Sequence, residues 1–321
     1  MISIEDIRKA AERLKGVAVK TPLLENPVLN DRVGGRVLMK LETLQATGSF
    51  KMRGAYNRIS QLSDDERQRG VLAWSSGNHA QGVARAAQLV GAPATILMPE
   101  DAPKSKVAGA KSFGAEVVFY DRYCQDREEI GRALADERGM VIVPPFDNEH
   151  VIAGQGTCGL EIADQAKALG TDVDQLLVCA GGGGLTAGCA IAFASEMPNA
   201  KVHSVEPEGY DDIALSIDKG ERVAVDPSRK SIADALMPPT PGALTWPIIK
   251  THVPSGLVVS EDEIRAAVRY AFNELNLKVE PGGVVTLAAV LAGKIEVRAK
   301  VTAITLSGGN VDSDVFCTLI S

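Results

Sequence analysis

A chain of 321 residues, 45% hydrophobic and 23% charged, can bury one large or two medium cores and reads as an ordinary soluble globular protein. A net charge of -7, with no basic run and no aromatic-basic interleaving, argues against nucleic-acid binding; no stretch is apolar for long enough to span a bilayer. Five scattered cysteines (Cys124, Cys158, Cys179, Cys189, Cys317) form neither metal-ligand pairs nor a disulfide framework, so reduced thiols and a cytoplasmic location are expected.

The chain opens with an amphipathic charged segment, Met1 to Leu14, that lacks the apolar core of a signal peptide. Strands are then predicted over Val37–Leu41, Val71–Trp74, Ala94–Met98, Glu116–Phe119, Val141–Val143, Leu176–Cys179, Val202–Val205 and Val301–Leu306. Helices are predicted between them, over His79–Val90, Lys104–Phe113, Arg127–Arg138, Val151–Leu169, Glu261–Leu275 and Val284–Ala292. Gly91, Pro99, Gly114 and Gly170 punctuate these segments. Such alternation points to parallel sheets covered by helices. From about Gly220 to Pro254 the chain is rich in proline and reads as a long irregular excursion, a kind of segment that is often functional.

Five runs carry chemistry. In Thr47-Gly48-Ser49-Phe50-Lys51-Met52-Arg53-Gly54-Ala55, a lysine lies between a Gly-Ser turn and a helix. A lysine in a partly dry pocket loses its proton readily and becomes a nucleophile toward aldehydes; at the surface it only caps or solvates. Ser75-Ser76-Gly77-Asn78-His79 follows a strand and precedes a helix, which makes it either a cradle for a carboxylate or a plain helix cap. Gly181-Gly182-Gly183-Gly184 sits at a second such junction and can wrap a phosphate with backbone donors, though its spacing is neither dinucleotide-binding nor P-loop. Leu306-Ser307-Gly308-Gly309-Asn310 places Ser307 at a strand carboxyl end, where α/β sheets present ligand-binding groups; the alternative is a tight turn. The acidic run from Glu206 to Asp212, through Tyr210, suits either a hard cation or a solvated surface loop.

Taken together and in this order, with Thr21-Pro22-Leu23 and Ile152-Ala153-Gly154-Gln155-Gly156-Thr157, the runs resemble the fold-type II pyridoxal-phosphate enzymes of the serine/threonine dehydratase and serine racemase family. The resemblance implies an α/β fold like that of the tryptophan synthase β-subunit, with two open, twisted, mostly parallel sheets covered by helices. A large cofactor domain would comprise residues 1–69 and 146–321, and a small substrate-side domain residues 70–145. It implies that Lys51 forms the Schiff base with pyridoxal 5′-phosphate and acts as the base on one substrate face. Phe50 would pack on the pyridine ring, Asn78 would bond the ring hydroxyl, Gly181, Gly182, Gly183 and Gly184 would hold the phosphate, and Ser307 would face the ring nitrogen. A neutral hydroxyl at that nitrogen moderates the electron sink, as suits elimination.

By the same resemblance Ser75, Ser76, Gly77, Asn78 and His79 bind the substrate α-carboxylate. Ser76 matches the opposite-face acid/base of racemases, and Glu206, Tyr210 and Asp212 match a divalent-cation site (magnesium, manganese or calcium). A homodimer is expected. Ala235 stands where relatives usually carry glycine, so the adjoining loop is expected to differ in shape. The chain stops soon after the Ser307 loop, so no regulatory domain of the kind in biosynthetic threonine dehydratases is expected.

Arg127 resembles the arginine that receives the second carboxylate of dicarboxylic ligands in serine-racemase relatives, Tyr120-Asp121-Arg122-Tyr123 resembles the signature of hydroxyaspartate dehydratases, and a guanidinium can pair with a β-carboxylate. The expected reaction is therefore dehydration of the hydroxy amino acid 3-hydroxyaspartate to iminosuccinate and then oxaloacetate and ammonia. The alternatives are a threonine/serine dehydratase and a serine or aspartate racemase. A solvated helix-start arginine is the other reading of Arg127.

Overall fold

A computed structural model describes residues 2–102 and 104–321, leaving Met1 of the opening segment outside the described residues. Helix α1 (Ile4–Leu14) starts where Ser3 and Asp6 form a reciprocal capping box, and it buries Ile7, Ala10 and Leu14. After it come β1 (Leu23–Glu25), α2 (Pro27–Val33), β2 (Arg36–Leu41), α3 (Lys51–Ile59), α4 (Asp64–Arg69), β3 (Val71–Trp74), α5 (Asn78–Val90), β4 (Ala94–Pro99), α6 (Lys104–Ser112), β5 (Glu116–Tyr120), α7 (Arg127–Arg138) and β6 (Val141–Ile142). The second half contains α8 (Glu149–Ala168), β7 (Gln175–Cys179), α9 (Gly184–Glu196), β8 (Lys201–Pro207), α10 (Asp212–Lys219), α11 (Thr245–His252), β9 (Ser255–Val259), α12 (Glu261–Asn273), α13 (Pro281–Leu291), β10 (Val301–Leu306) and α14 (Ser313–Ile320).

The strands form two sheets. One has six strands in the order β1-β2-β10-β7-β8-β9, and the other has four in the order β5-β4-β3-β6. Every pairing is parallel except β1 with β2. Parallel strands covered on both faces read as continuous apolar runs, and β7 is buried along its whole length. Its side chains nevertheless divide by pleat. Leu176 and Val178 join the core beneath α8 and α9, whereas Leu177 and Cys179 join the core beneath α12 and α13. A third core lies between the four-stranded sheet and α3 and α5.

The two-sheet α/β fold matches the expectation, but three details differ. β1 and β9 lie outside the predicted strands: β1 is only three residues long, and β9 begins with Ser255 and Gly256. The excursion from Gly220 to Pro254 is not irregular throughout, since it contains a 3-10 turn at Asp234–Leu236 and helix α11. Pro247 is tolerated there because it occupies the first turn, where backbone N–H groups have no helical acceptor. The predicted strand at Val141–Val143 pairs only over Val141–Ile142. Among the described residues, no helix is long and apolar enough to cross a membrane.

Candidate active site

The carboxyl ends of three parallel strands converge on the start of α3. β3 leads into Ser75–His79, β7 into the glycine tetrad and β10 into Ser307. The loop before Lys51 is laced to the loop after β10: the Phe50 N–H donates to the Ser307 carbonyl (3.1 Å), and the Gly309 N–H donates to the Gly48 carbonyl (2.9 Å). The Asn310 amide also donates to the Thr47 carbonyl at 2.8 Å.

Lys51 is half-buried and is the first residue of α3. Its ammonium donates to the Pro145 carbonyl at 2.7 Å and lies 5.1 Å from the centre of the Phe50 ring. Loss of solvating water lowers its pKa to about 8, while the nearby Glu280 acts in the opposite direction. A substantial fraction of this amine is therefore neutral near physiological pH, the state required of a nucleophile.

Asn78 opens α5 and is held from both ends. Its Nδ2 donates to Glu280 Oε1 at 2.5 Å, and its Oδ1 accepts from Asn310 Nδ2 at 2.8 Å. An amide NH2 has two hydrogens, so one Asn78 N–H remains for a ligand. Glu280 is buried, and burial raises its pKa to about 7 even though the Asn78 hydrogen bond opposes the shift. Gly308 permits this approach, because a Cβ there would stand 2.4 Å from Glu280 Oε1. His79 bonds the Val143 carbonyl through Nε2 at 2.7 Å, and its pKa falls to about 3, chiefly through burial and then through Lys51. It is a neutral, positioned imidazole whose Nδ1 is buried without a partner.

Ser75 and Ser76 are half-buried, and the Gly77 N–H donates to Ser75 Oγ at 3.2 Å. Gly77 caps α5 without a side-chain acceptor, and a Cβ on it would meet nothing within 4 Å. The positive end of α5 thus opens on free space, as an anion cradle requires. The tetrad is the second such junction. Gly183 adopts φ 89°, again without a side-chain cap for α9, and a Cβ on Gly182 would lie 2.4 Å from the Phe146 ring. Neither position tolerates a side chain. Ser307 is buried, with its side chain against the Cys179 thiol.

Two sets of residues lie apart from this cluster. Arg127 is exposed at the first position of α7 and, among the described residues, makes no ion pair or side-chain hydrogen bond. The groups seen acting on Lys51 are Pro145, Phe50 and Glu280, not Arg127. Glu206 and Asp212 are buried at the end of β8 and the start of α10. Glu206 accepts from the Ile213 and Ala214 N–H groups at 2.9 and 2.8 Å, and desolvation followed by repulsion from Asp212 holds its pKa well above the carboxylate range. Both Asp212 oxygens are buried without partners, and burial raises that pKa to about 8. The Tyr210 hydroxyl, with one hydrogen to donate, lies 2.7 Å from the Arg229 carbonyl and 3.0 Å from that of Pro227. Among the described residues no group of three or more His, Cys, Asp or Glu could hold a metal; Glu206 and Asp212 supply only two acidic side chains. Ala235 lies in the 3-10 turn without positive φ, so its backbone makes no demand for glycine.

Sequence reasoning missed Glu280, Pro145, Phe146, Asp147 and Thr245. The only local signals were the Glu280-Pro281-Gly282-Gly283 punctuation and the Pro144-Pro145 pair.

Known proteins resemble the chain along most of its length. A family model described as pyridoxal-phosphate dependent enzyme matches residues 14–308. The chain is 43% identical to an L-threo-3-hydroxyaspartate ammonia-lyase of Saccharomyces cerevisiae, over 98% of this chain and 95% of that protein. It is 41% identical to a serine racemase of Schizosaccharomyces pombe, over 99% of this chain and 97% of that protein. A solved threonine deaminase from T.th. superposes with a TM-score of 0.91 at 42% identity, covering 97% of this chain and 99% of that one. With its lysine at a strand-end cluster and these relatives along its whole length, the chain belongs to the pyridoxal-phosphate dependent enzymes, as a fold-type II member of their dehydratase, ammonia-lyase and racemase group.

Proposed function

We propose that the protein is a lyase that removes water from 3-hydroxyaspartate, releasing iminosuccinate, which hydrolyses to oxaloacetate and ammonia. The observation that carries this reading is the full-length similarity to L-threo-3-hydroxyaspartate ammonia-lyase, together with a desolvated Lys51 amine among three strand ends. The cofactor fits the residues present: Gly182 and Gly183 leave room only for backbone, and Lys51 offers a partly neutral amine. Lys51 would hold pyridoxal phosphate covalently, with Phe50, Asn78, Gly181 to Gly184 and Ser307 around it. Bound there, the cofactor supplies an electron sink for the pair left on the substrate α-carbon.

The chain's own residues do the rest. The amides and hydroxyls of Ser75 to His79 bind the α-carboxylate at the positive end of α5. Once the substrate amine has displaced it from the cofactor, Lys51 Nζ would take the α-proton, the β-carbon–oxygen bond would break, and the hydroxide would leave as water with a proton that Lys51 can return. Ser76 would be the acid/base on the opposite face. Arg127 would receive the β-carboxylate if α7 swings toward the cleft. A threonine or serine substrate is the second reading, favoured by the exposure of Arg127 and by the similarity to threonine deaminase.

Comparing kcat/KM for hydroxyaspartate stereoisomers, threonine and serine decides between the two. The first reading expects hydroxyaspartate to lead and Arg127→Ala to cost on the order of 2–5 kcal/mol for it alone. A lead for threonine, with Arg127→Ala without effect, would sink it; a Lys51→Ala variant that still turns over would sink both.

We also propose that Glu206, Asp212 and the Tyr210 carbonyl hold a magnesium, manganese or calcium ion. Two adjacent buried carboxyls, one without any partner, supply the charge and lone pairs that a hard cation seeks. Each ion should raise the wild-type melting temperature and leave Asp212→Asn unmoved; equal response from both proteins rules the site out. We infer a division into residues 1–69 with 146–321 and residues 70–145, since all four strands of the smaller sheet lie within 71–142. Limited proteolysis cutting inside either part rather than at the joins would count against it. The homodimer expected from the resemblance is tested by light scattering, where a monomeric mass refutes it.

A further inference from the structure

Three consecutive residues, Pro145, Phe146 and Asp147, each touch a different part of the site. The Pro145 carbonyl accepts the Lys51 ammonium at 2.7 Å. The Phe146 ring lies where a Cβ of Gly182 would be, and its backbone lies against Gly184. Asp147 sends its carboxylate to the turn before α11, where Oδ2 accepts from the Ala243 N–H at 2.9 Å and Oδ1 from the Leu244 N–H at 2.8 Å. A Cβ on Gly242 would stand 2.3 Å from Asp147 Oδ1, so glycine is what lets the carboxylate seat itself.

That turn in turn grips the glycine tetrad. The Gly182 carbonyl accepts the buried Thr245 hydroxyl at 2.8 Å and the Gly242 N–H at 3.2 Å. In a trans peptide the carbonyl and the following N–H point in opposite directions. Pinning the Gly182 oxygen on the turn therefore directs the Gly183 N–H away from it. Glycine has no side chain to restrain this peptide, so without the turn it could flip at little steric cost. Asp147 is not spent elsewhere: Asn148 caps α8, and among the described residues Asp147 makes no ion pair.

We propose that Asp147 and Thr245 are positioning residues that lock the peptide plane of the tetrad with its donors set for the cofactor phosphate. The proposal rests on reading Gly181 to Gly184 as the phosphate cradle. Asp147 acts through the Ala243–Leu244 amides and Thr245 acts directly on the Gly182 oxygen. The proposal assigns neither residue a bond to the cofactor itself.

The test is cofactor affinity of the full-length protein, stripped and reconstituted with either pyridoxal 5′-phosphate or pyridoxal, read by absorbance. Asp147→Asn and Thr245→Val should weaken pyridoxal phosphate about tenfold or more, the size of a lost hydrogen bond to a charged group, and leave pyridoxal within about twofold. Thr245→Ser, which keeps the hydroxyl, should restore wild-type affinity. Equal weakening of both cofactors, or unchanged affinity for pyridoxal phosphate, overturns the proposal. If Asp147→Asn does not fold, the Thr245→Val and Thr245→Ser pair decides alone. The cradle reading is checked separately with Gly183→Ala: unchanged phosphate preference in that variant refutes the cradle itself, whatever Asp147 does.

Discussion

The amine of Lys51 titrates at about 8 because burial removes the water that would solvate an ammonium, and Glu280 only partly offsets that loss. The neutral fraction must grow as pH rises through that value. The logarithm of the rate at which the apoprotein takes up pyridoxal phosphate, followed by absorbance, should climb to about pH 8 and flatten above; a climb that continues unbent to about pH 10 would contradict a depressed amine. Glu280 behaves in the opposite sense. Its pKa rises from 4.5 to about 7 on folding, so between those values the native state keeps a proton that the unfolded chain has lost. Stability therefore falls as pH rises across that window, and the whole penalty is present above about 7. Glu280→Gln keeps an acceptor for Asn78 and removes the titration. Its urea unfolding free energy should match wild type near pH 4 and exceed it by at most about 3 kcal/mol near pH 8. An equal difference at both pH values would show that no buried carboxyl titrates there.

Helix α3 is anchored by charge as much as by packing. Two residues after Lys51, the fully buried Arg53 bonds both oxygens of Glu42 (2.8 Å each) and both of Glu161 (2.7 and 2.9 Å). Lys40 donates to the same Glu161 at 2.6 Å, so two cations face two carboxylates. The planar guanidinium can offer paired hydrogen bonds to two carboxylates at once; a lysine ammonium, with three donors on one nitrogen, cannot. Arg53→Met would strand the buried Glu42 and should cost about 3–5 kcal/mol in urea unfolding, with Arg53→Lys in between. A loss below about 1 kcal/mol would mean that apolar packing, not this network, holds the start of α3. The helix itself was readable from its Gly-Ser entry. Its anchors at positions 42 and 161 were not, because nothing local distinguishes those glutamates from surface ones.

An ion pair joins α6 to the 3-10 turn at Asp234–Leu236, and both of its charges act on Glu280. Lys106 on α6 donates to Asp234 in the 3-10 turn at 2.9 Å, with the aspartate side chain 62% exposed. Such a pair contributes about 0–1 kcal/mol, too little to govern global stability but enough to bias how closely α6 approaches the other side. Asp234→Asn should leave the melting temperature nearly unchanged while raising KM and removing its salt dependence. An unaltered KM at both low and high salt would show that the pair does not hold the cleft.

Much of the site could be read along the chain because its parts follow strand-turn-helix grammar within a few residues of one another. Lys51, Ser75 to His79, the glycine tetrad and Ser307 each sit at such a junction, and parallel sheets place junctions of this kind at one edge. The two-sheet fold was legible for the same reason: buried parallel strands announce themselves as apolar runs, whereas the short β1 and the Ser-Gly start of β9 do not. Other facts arise only on folding. Asn78 meets Glu280 and Asn310 across 202 and 232 residues, and Asp147 reaches Ala243 across 96. These are ordinary polar residues until packing removes water from around them. The direction of the Arg127 guanidinium belongs with them: Asp126 marks the helix start in the sequence, but a side chain's target depends on how α7 lies against the rest of the protein. Local backbone preference and apolar patterning act between neighbours and are written in order along the chain. Desolvation and hydrogen-bond pairing act between residues that only the completed fold brings together.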